Sequence, residues 1–381
     1  MDPSAPSPLP ADAAEPRPPQ VPLVPGAAAE MQPIRVVLDE RSSWGRFGRR
    51  LAWMLLAVSL LVNLTLLAAY RTYFQSEANQ LSEKFYSHDG TARDKVAIVT
   101  IDGVIMSGEG YVGRQIDRIR EDDDVKAVVV RVNSPGGTVA GSHYIYHHLR
   151  ELCKQKKVPL VVSMGSVAAS GGYYVAMAVG AQQEIGLNDA KDVIFAEPTT
   201  TTGSIGVILP HYNVAGLLKQ WNIEDDSIKS HALKDMGTVT RQMTPEERAK
   251  FQSYINERFE RFKDVVKAGR PHFRGSPGEL DAIATGEIFT TTQALTYRLV
   301  DREGYLDDAI ERAIEMADLD ADRVRVVRYE APRSLFNVIT GTDMPSVKRS
   351  PDVATLLEMT TPEAYYLYSW LPSATMAAAK E

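Results

Sequence analysis

The chain has 381 residues, 44% of them hydrophobic, which is enough for one large or two ordinary domains with a substantial core. Its formal net charge of −7 comes with no concentrated basic face and no nucleic-acid-binding motif, which excludes nucleic acid as the expected partner. The single Cys153 can close no intramolecular disulfide and leaves the redox compartment open.

Residues 1–50 divide into two parts. Met1 to Glu30 is rich in Pro and Ala without an apolar period, the composition of a disordered tail. Arg41, Arg46, Arg49 and Arg50 then form a basic juxtamembrane segment. Leu51 to Tyr70 follows, 20 residues without one charge, a length that matches the hydrocarbon core at a helical rise of about 1.5 Å. Trp53 and Tyr70 stand near its ends, as interfacial aromatics do. The run is longer, and starts later in the chain, than a signal-peptide core, so a transmembrane helix is preferred over a leader cleaved after Ala69. The arginine excess predicts the N-terminus inside and the remaining chain outside.

Residues 71–94 read as a polar connector, helical at first through Glu77, Ala78, Leu81 and Phe85. From Lys95 the pattern alternates. Strands are expected at Lys95–Ile101, Val125–Val132, Val158–Ser163 and Val193–Ala196. Helices are expected at Val112–Arg120, Ala140–Lys154 and Gly172–Val179. Such alternation means βαβ units, a mainly parallel sheet and an α/β fold with loops for a site at the strand C-termini. Gln182 to Lys191 reads as a surface insertion. Thr244-Pro245-Glu246-Glu247 is a capping box that opens a long helix to about Ala268. Thr291–Leu299 and Leu306–Met316 read as further helices. In the C-terminal extension, residues 320–381, Arg323–Tyr329 alternates like an edge strand, and Ala364–Leu371 is an aromatic cluster suited to packing on the domain or on a neighbouring subunit.

Two stretches carry chemistry. Ser170 stands between glycines in Gly165-Ser166-Val167-Ala168-Ala169-Ser170-Gly171-Gly172-Tyr173-Tyr174, at or just before a helix start. The glycines on either side let the chain carrying the hydroxyl turn sharply there, and the helix N-terminus favours developing negative charge. Taken alone, the same serine also suits a plain N-cap. One βα unit earlier, Asn133-Ser134-Pro135-Gly136-Gly137 can turn two backbone N–H groups into one cavity, as an oxyanion hole requires, although a Pro-Gly turn uses the same residues.

A serine nucleophile needs a base. Among the seven histidines, His143, His147 and His148 have helical spacing but no accompanying ligand pattern, so they read as a solvated helix face and no metal is expected. His211 and His231 lack an evident carboxylate partner. A lysine made neutral by burial is the alternative, and Ile228-Lys229-Ser230-His231-Ala232-Leu233-Lys234-Asp235 offers Lys229 and Lys234, between which periodicity does not choose.

These motifs, with Thr202-Gly203-Ser204-Ile205-Gly206-Val207 between them, resemble the signal peptide peptidase A family of serine proteases over about Lys95 to Met316. The resemblance implies a ClpP/crotonase-like fold for residues 95–319 and no cofactor. It implies Ser170 as nucleophile, Lys234 as general base, Ser204 as the hydroxyl that orients the lysine, and oxyanion N–H groups around Gly136 and Gly137. Each motif occurs once, like the short form of the family. That form implies a protein of the cytoplasmic (inner) membrane, assembled as a homo-oligomeric ring in which the serine of one subunit meets the lysine of the next. The implied substrates are signal-peptide remnants and other apolar peptides near the membrane, with small or apolar residues at the cleavage site. Ser230-His231 departs from the family's usual Ser-Gly. Two rivals from other classes are an acyl-CoA enzyme of the crotonase type and a catalytically silent membrane scaffold.

Overall fold

The computed structural model describes residues 43–79, 81–187, 191–330 and 364–367, so the N-terminal tail lies outside the described residues. The chain divides into two compact units, residues 1–69 and 70–381. Helix α1 (Ser43–Asn79) contains Phe47–Ala68, 22 residues with a mean hydropathy of 2.2 and none of them buried, long and apolar enough to cross a membrane. In mid-span the Asn63 amide donates to the Ser59 carbonyl at 2.7 Å, which satisfies it within the helix.

The second unit is built on a nine-stranded sheet. Its strands are β1 (Ser82–His88), β2 (Asp94–Asp102), β3 (Val125–Ser134), β5 (Leu160–Ala169), β6 (Ile194–Ala196), β7 (Thr201–Gly203), β8 (Ile288–Thr290), β9 (Arg302–Glu303) and β10 (Val324–Glu330), while β4 (Gly136–Thr138) pairs separately with β11 (Tyr365–Leu367). The main path runs β1-β10-β2-β3-β5-β6-β9, parallel throughout except for β1. This is the mostly parallel α/β architecture expected. Helices α2 (Tyr111–Glu121), α3 (Val139–Lys156), α4 (Gly171–Ala176) and α6 (Pro245–Gly269) share one core with Val128, Val130 and Val132, and α10 (Leu306–Met316) covers Ala127 and Val129 on the other face. Burial on both faces is why β3 reads as an unbroken apolar run. The remaining helices are α5 (Ala215–Gln220), α7 (His272–Gly275), α8 (Pro277–Ile283) and α9 (Thr291–Thr296). The capping box of α6 forms as expected, with Thr244 accepting from the Glu247 amide and Glu247 accepting from the Thr244 amide.

Four expectations are corrected. The connector is not helical through Phe85: α1 stops at Asn79, and Ser82–His88 is an edge strand antiparallel to β10, where cross-strand pairing outweighs a weak helical period. Lys95 ties that edge down by ion pairs to Glu83 at 2.9 Å and Asp122 at 2.8 Å. Consequently β10 is not at the edge, since β1 flanks it on one side and β2 on the other, and the sheet takes strands from both sides of residues 95–319. Gln182–Lys191 is not wholly superficial, because a 3-10 helix continues α4 from Met177 to Ile185 and buries Gln182; residues 188–190 lie outside the described residues. Finally, β5 runs past Ser163 to Ala169, so the Gly165–Ala169 half of the serine motif is strand and not loop.

Strand β5 forks. Its first half pairs with β6 through Val162↔Ile194 to Met164↔Ala196, and its second half pairs with β7 through Val167↔Thr201 to Ala169↔Gly203. The residues that follow β5 and β7, Ser170 and Ser204, therefore leave the sheet side by side.

Candidate active site

Ser170 is the N-cap of α4, directly after β5, with φ 52° and ψ −113°. A positive φ is strained for a residue with a β-carbon, by roughly 1–3 kcal/mol. The turn is held by its own backbone: the Ser170 amide donates to the Gly203 carbonyl at 2.8 Å, and the Ser170 carbonyl accepts from the Tyr174 amide at 2.8 Å. Ser204 repeats the feature at the end of β7, with φ 52° and its amide bonded to the Glu287 carbonyl at 2.6 Å. Both serines are buried, with exposures of 1% and 6%, and among the described residues neither hydroxyl has a hydrogen-bond partner. Two unpartnered hydroxyls on adjacent strand ends form a small polar site in which one can act and the other can orient a third group.

The Asn133–Gly137 stretch is joined to this turn. The Asn133 side-chain oxygen accepts from the Val167 amide at 3.3 Å, and Ser134 Oγ accepts from the Gly136 amide at 3.1 Å. Instead of a simple turn, Gly136 and Gly137 open the short strand β4. Gly136 has φ 101°, and a β-carbon there would collide with the Tyr366 carbonyl oxygen and lie 2.6 Å from the Gly171 amide nitrogen. A β-carbon on Gly171 would lie 3.0 Å from the same Tyr366 oxygen and 3.1 Å from Gly136 Cα. Close backbone approach thus explains glycine at both positions, and it gathers the Gly136 corner, the Gly171 amide and a carbonyl oxygen into one place. As the first residue of α4, Gly171 has an N–H with no partner inside the helix. The sequence reading missed Gly171 as a donor, although its position directly after a serine at a helix start was the available signal.

The lysines are elsewhere. Residues Ala232–Asp235 form a 3-10 turn, capped by His231, whose ring nitrogen accepts from the Leu233 amide at 3.3 Å. That accounts for the histidine in place of the usual glycine. Lys229 is bound to Asp235 at 2.5 Å, whereas among the described residues the exposed Lys234 ammonium has no partner. No contact joins Lys234 to Ser170 or Ser204 within the described residues. Arg241 contacts Asp235 at 2.9 Å and the buried Glu247 at 2.5 Å, so the segment is pinned to the start of α6. Hydrogen bonds from Arg241 and then Lys229 hold the Asp235 carboxyl well below the usual carboxylate range, and Arg241 holds Glu247 down to about 2.

The other candidates fall away from the serines or into supporting roles. His143 is half-buried, not solvated: its Nδ1 lies 2.8 Å from the Tyr174 hydroxyl, and burial, reinforced by Arg261, lowers its pKa. His147 is exposed, and among the described residues no cluster of His, Cys, Asp and Glu could hold a metal ion. Among the described residues, the buried Nε2 of His211 has no partner. Cys153 is buried, and desolvation pushes its thiol up to about 12, which makes it inert.

With this geometry in place, comparisons with known proteins assign the chain. A family model described as Peptidase family S49 matches residues 153–320. A Synechocystis sp. protein assigned as protease slr0021 is 36% identical over 253 residues, covering 66% of this chain and 85% of that protein. An Enterococcus faecium protein assigned as signal peptide peptidase SppA is 34% identical over 263 residues, covering 65% of this chain and 70% of that protein. Protease 4 of Salmonella typhi is 35% identical over 232 residues, which cover 59% of this chain and 35% of that longer protein. The family match and the protease-named relatives make this chain a serine-type peptidase. The chain belongs to peptidase family S49, the signal peptide peptidase A family, whose ClpP-like fold matches the mostly parallel sheet described above.

Proposed function

We propose that the chain is a membrane-anchored endopeptidase with a Ser-Lys dyad completed between subunits, and that it degrades signal-peptide remnants and other apolar peptides near the membrane. The observation that carries this reading is the split of the candidate site. Among the described residues, Ser170 and Ser204 are buried without hydrogen-bond partners for their hydroxyls, while Lys234 has no partner on a segment of its own chain that exposes Trp221 and Ile228 to solvent. A large apolar surface on an exposed arm needs a cover, and a second copy supplies one. The apolar helix Phe47–Ala68 supports a single-pass anchor, with the arginines on its N-terminal side favouring that end inside.

In the reaction, the neutral amine of a neighbour's Lys234, oriented by Ser204, takes the Ser170 proton. Ser170 Oγ attacks a peptide carbonyl, and N–H groups at Gly137 and Gly171 receive the oxyanion. Collapse breaks the C–N bond, the lysine returns the proton to the departing amine, and water deprotonated by the same lysine hydrolyses the acyl-enzyme. Burial in the neighbour's site is what favours the uncharged lysine. Cleavage of a synthetic signal peptide by the assembled chain tests the reading, with a fluorophosphonate probe alongside. Turnover together with labelling at Ser170 is expected; turnover that persists in Ser170→Ala contradicts it.

A further inference from the structure

Ser142 stands in the first turns of α3, just after the Thr138 N-cap, whose side-chain oxygen accepts from the Gly141 amide at 3.0 Å. Ser142 is fully buried, and among the described residues its hydroxyl has no hydrogen-bond partner. A serine inside a helix ordinarily bonds back to the carbonyl four residues earlier, here that of Thr138, or turns its hydroxyl to solvent. Ser142 does neither. A buried hydroxyl without a partner lowers stability, so its presence calls for a use other than holding the fold together.

The hydroxyl lies against the residue that follows the nucleophile. A β-carbon on Gly171 would come 2.4 Å from Ser142 Oγ, 3.0 Å from the Tyr366 carbonyl oxygen and 3.1 Å from Gly136 Cα. With a carbon–carbon bond of about 1.5 Å, that sets Ser142 Oγ within about 4 Å of Gly171 Cα. Of the three atoms nearest this point two are oxygens, one a carbonyl acceptor and the other a hydroxyl with a hydrogen to donate. The two are not bonded to each other, so the hydroxyl is idle beside a neutral carbonyl. The oxygen of a tetrahedral intermediate is different: it is charged, it leaves the plane of the former carbonyl, and it accepts a hydrogen bond more strongly. An interaction made only at that stage raises kcat without tightening substrate binding.

We propose that the Ser142 hydroxyl is a third donor of the oxyanion site, beside the N–H groups of Gly137 and Gly171, and that it bonds the oxyanion and not the substrate carbonyl. As Ser170 Oγ attacks, the Ser142 hydroxyl donates its hydrogen bond to the carbonyl oxygen that has taken the electron pair; no covalent bond to Ser142 forms or breaks, and the hydrogen bond is released when the C–N bond breaks and the carbonyl returns. The inference rests on the Ser170 peptidase reading and adds one side chain to its backbone donors. The test is Ser142→Ala in the full assembled chain, which removes a single buried oxygen. For a synthetic signal peptide, kcat is expected to fall about ten- to a hundredfold with KM within about twofold, while the urea midpoint of unfolding does not drop. A peptide aldehyde, whose adduct with Ser170 puts an oxygen in the oxyanion position, should bind the variant at least about tenfold more weakly. An unchanged kcat and aldehyde affinity overturn the proposal. A lowered urea midpoint overturns it too, because the hydroxyl would then be serving the fold. Turnover that survives in Ser170→Ala is scored separately: it would refute the peptidase reading itself and remove the oxyanion role with it.

Discussion

The Ser170 end of the sheet and the arm between β7 and α6 are built in opposite ways. Around Ser170 nearly everything is buried, and the backbone is fixed by strand pairing, by the Gly203 and Tyr174 hydrogen bonds, and by glycines that admit close approach. In the arm, α5 and the 3-10 turn at Lys234 bury no residue, and the order comes from charges: Lys229, Asp235, Arg241 and Glu247. One region stores strain and holds a geometry; the other offers apolar surface and, among the described residues, two unpaired ammonium groups, Lys219 and Lys234. The contrast suits the proposed site assembled from two copies, since the buried half can be finished in one chain while the exposed half awaits a partner.

The sharpest ways to break this contrast are at its two ends. Ser170→Ala and Lys234→Ala should each lower kcat by about 10⁴-fold or more without changing the fold, read by peptide turnover and circular dichroism. Ser204→Ala should cost about ten- to a hundredfold in kcat, the weight of one hydrogen bond to a charged group, with a smaller change in KM. A Lys234→Ala chain as active as the parent would remove the arm from the reaction.

Smaller effects sharpen the comparison. Arg241→Gln leaves the buried Glu247 without its main partner and should destabilise by roughly 2 kcal/mol, read by chemical denaturation. The sign with pH follows from the depressed Glu247 carboxyl. Its contribution is full above the unfolded carboxylate pKa, about 4.3, and is lost as pH falls toward about 2, so the parent and Arg241→Gln stability curves should converge in acid. Ser170→Gly relieves a positive φ and should raise stability by about 1 kcal/mol over Ser170→Ala, both inactive; equal stability would mean the turn is unstrained.

Much of the sheet was legible because buried parallel strands such as Val125–Val132 announce themselves as β-branched runs, and the Thr244 capping box marked a helix start by its own chemistry. Strand β1 was not legible. Its sequence Ser-Glu-Lys-Phe-Tyr-Ser-His is polar because it lies at an edge, and only its pairing with β10, more than two hundred positions away, makes it a strand. At the site, the serine and glycine motifs could be read because their spacing is local. Residue spacing alone did not distinguish Lys229 from Lys234; the ion pair of Lys229 with Asp235 is a tertiary contact that spacing does not show, and neither does it show the aromatic cluster of residues 174, 262 and 366, which no local pattern connects.

The most direct test of the divided site is mixing. Ser170→Ala and Lys234→Ala chains, each inactive alone, are combined over a range of ratios, allowed to exchange subunits in detergent, and assayed for cleavage of one synthetic signal peptide. A site shared between neighbours predicts that activity reappears and peaks near equal amounts, because some interfaces then pair an intact serine with an intact lysine. Mixtures that stay inactive at every ratio despite proven co-assembly would contradict it and return both groups to a single chain.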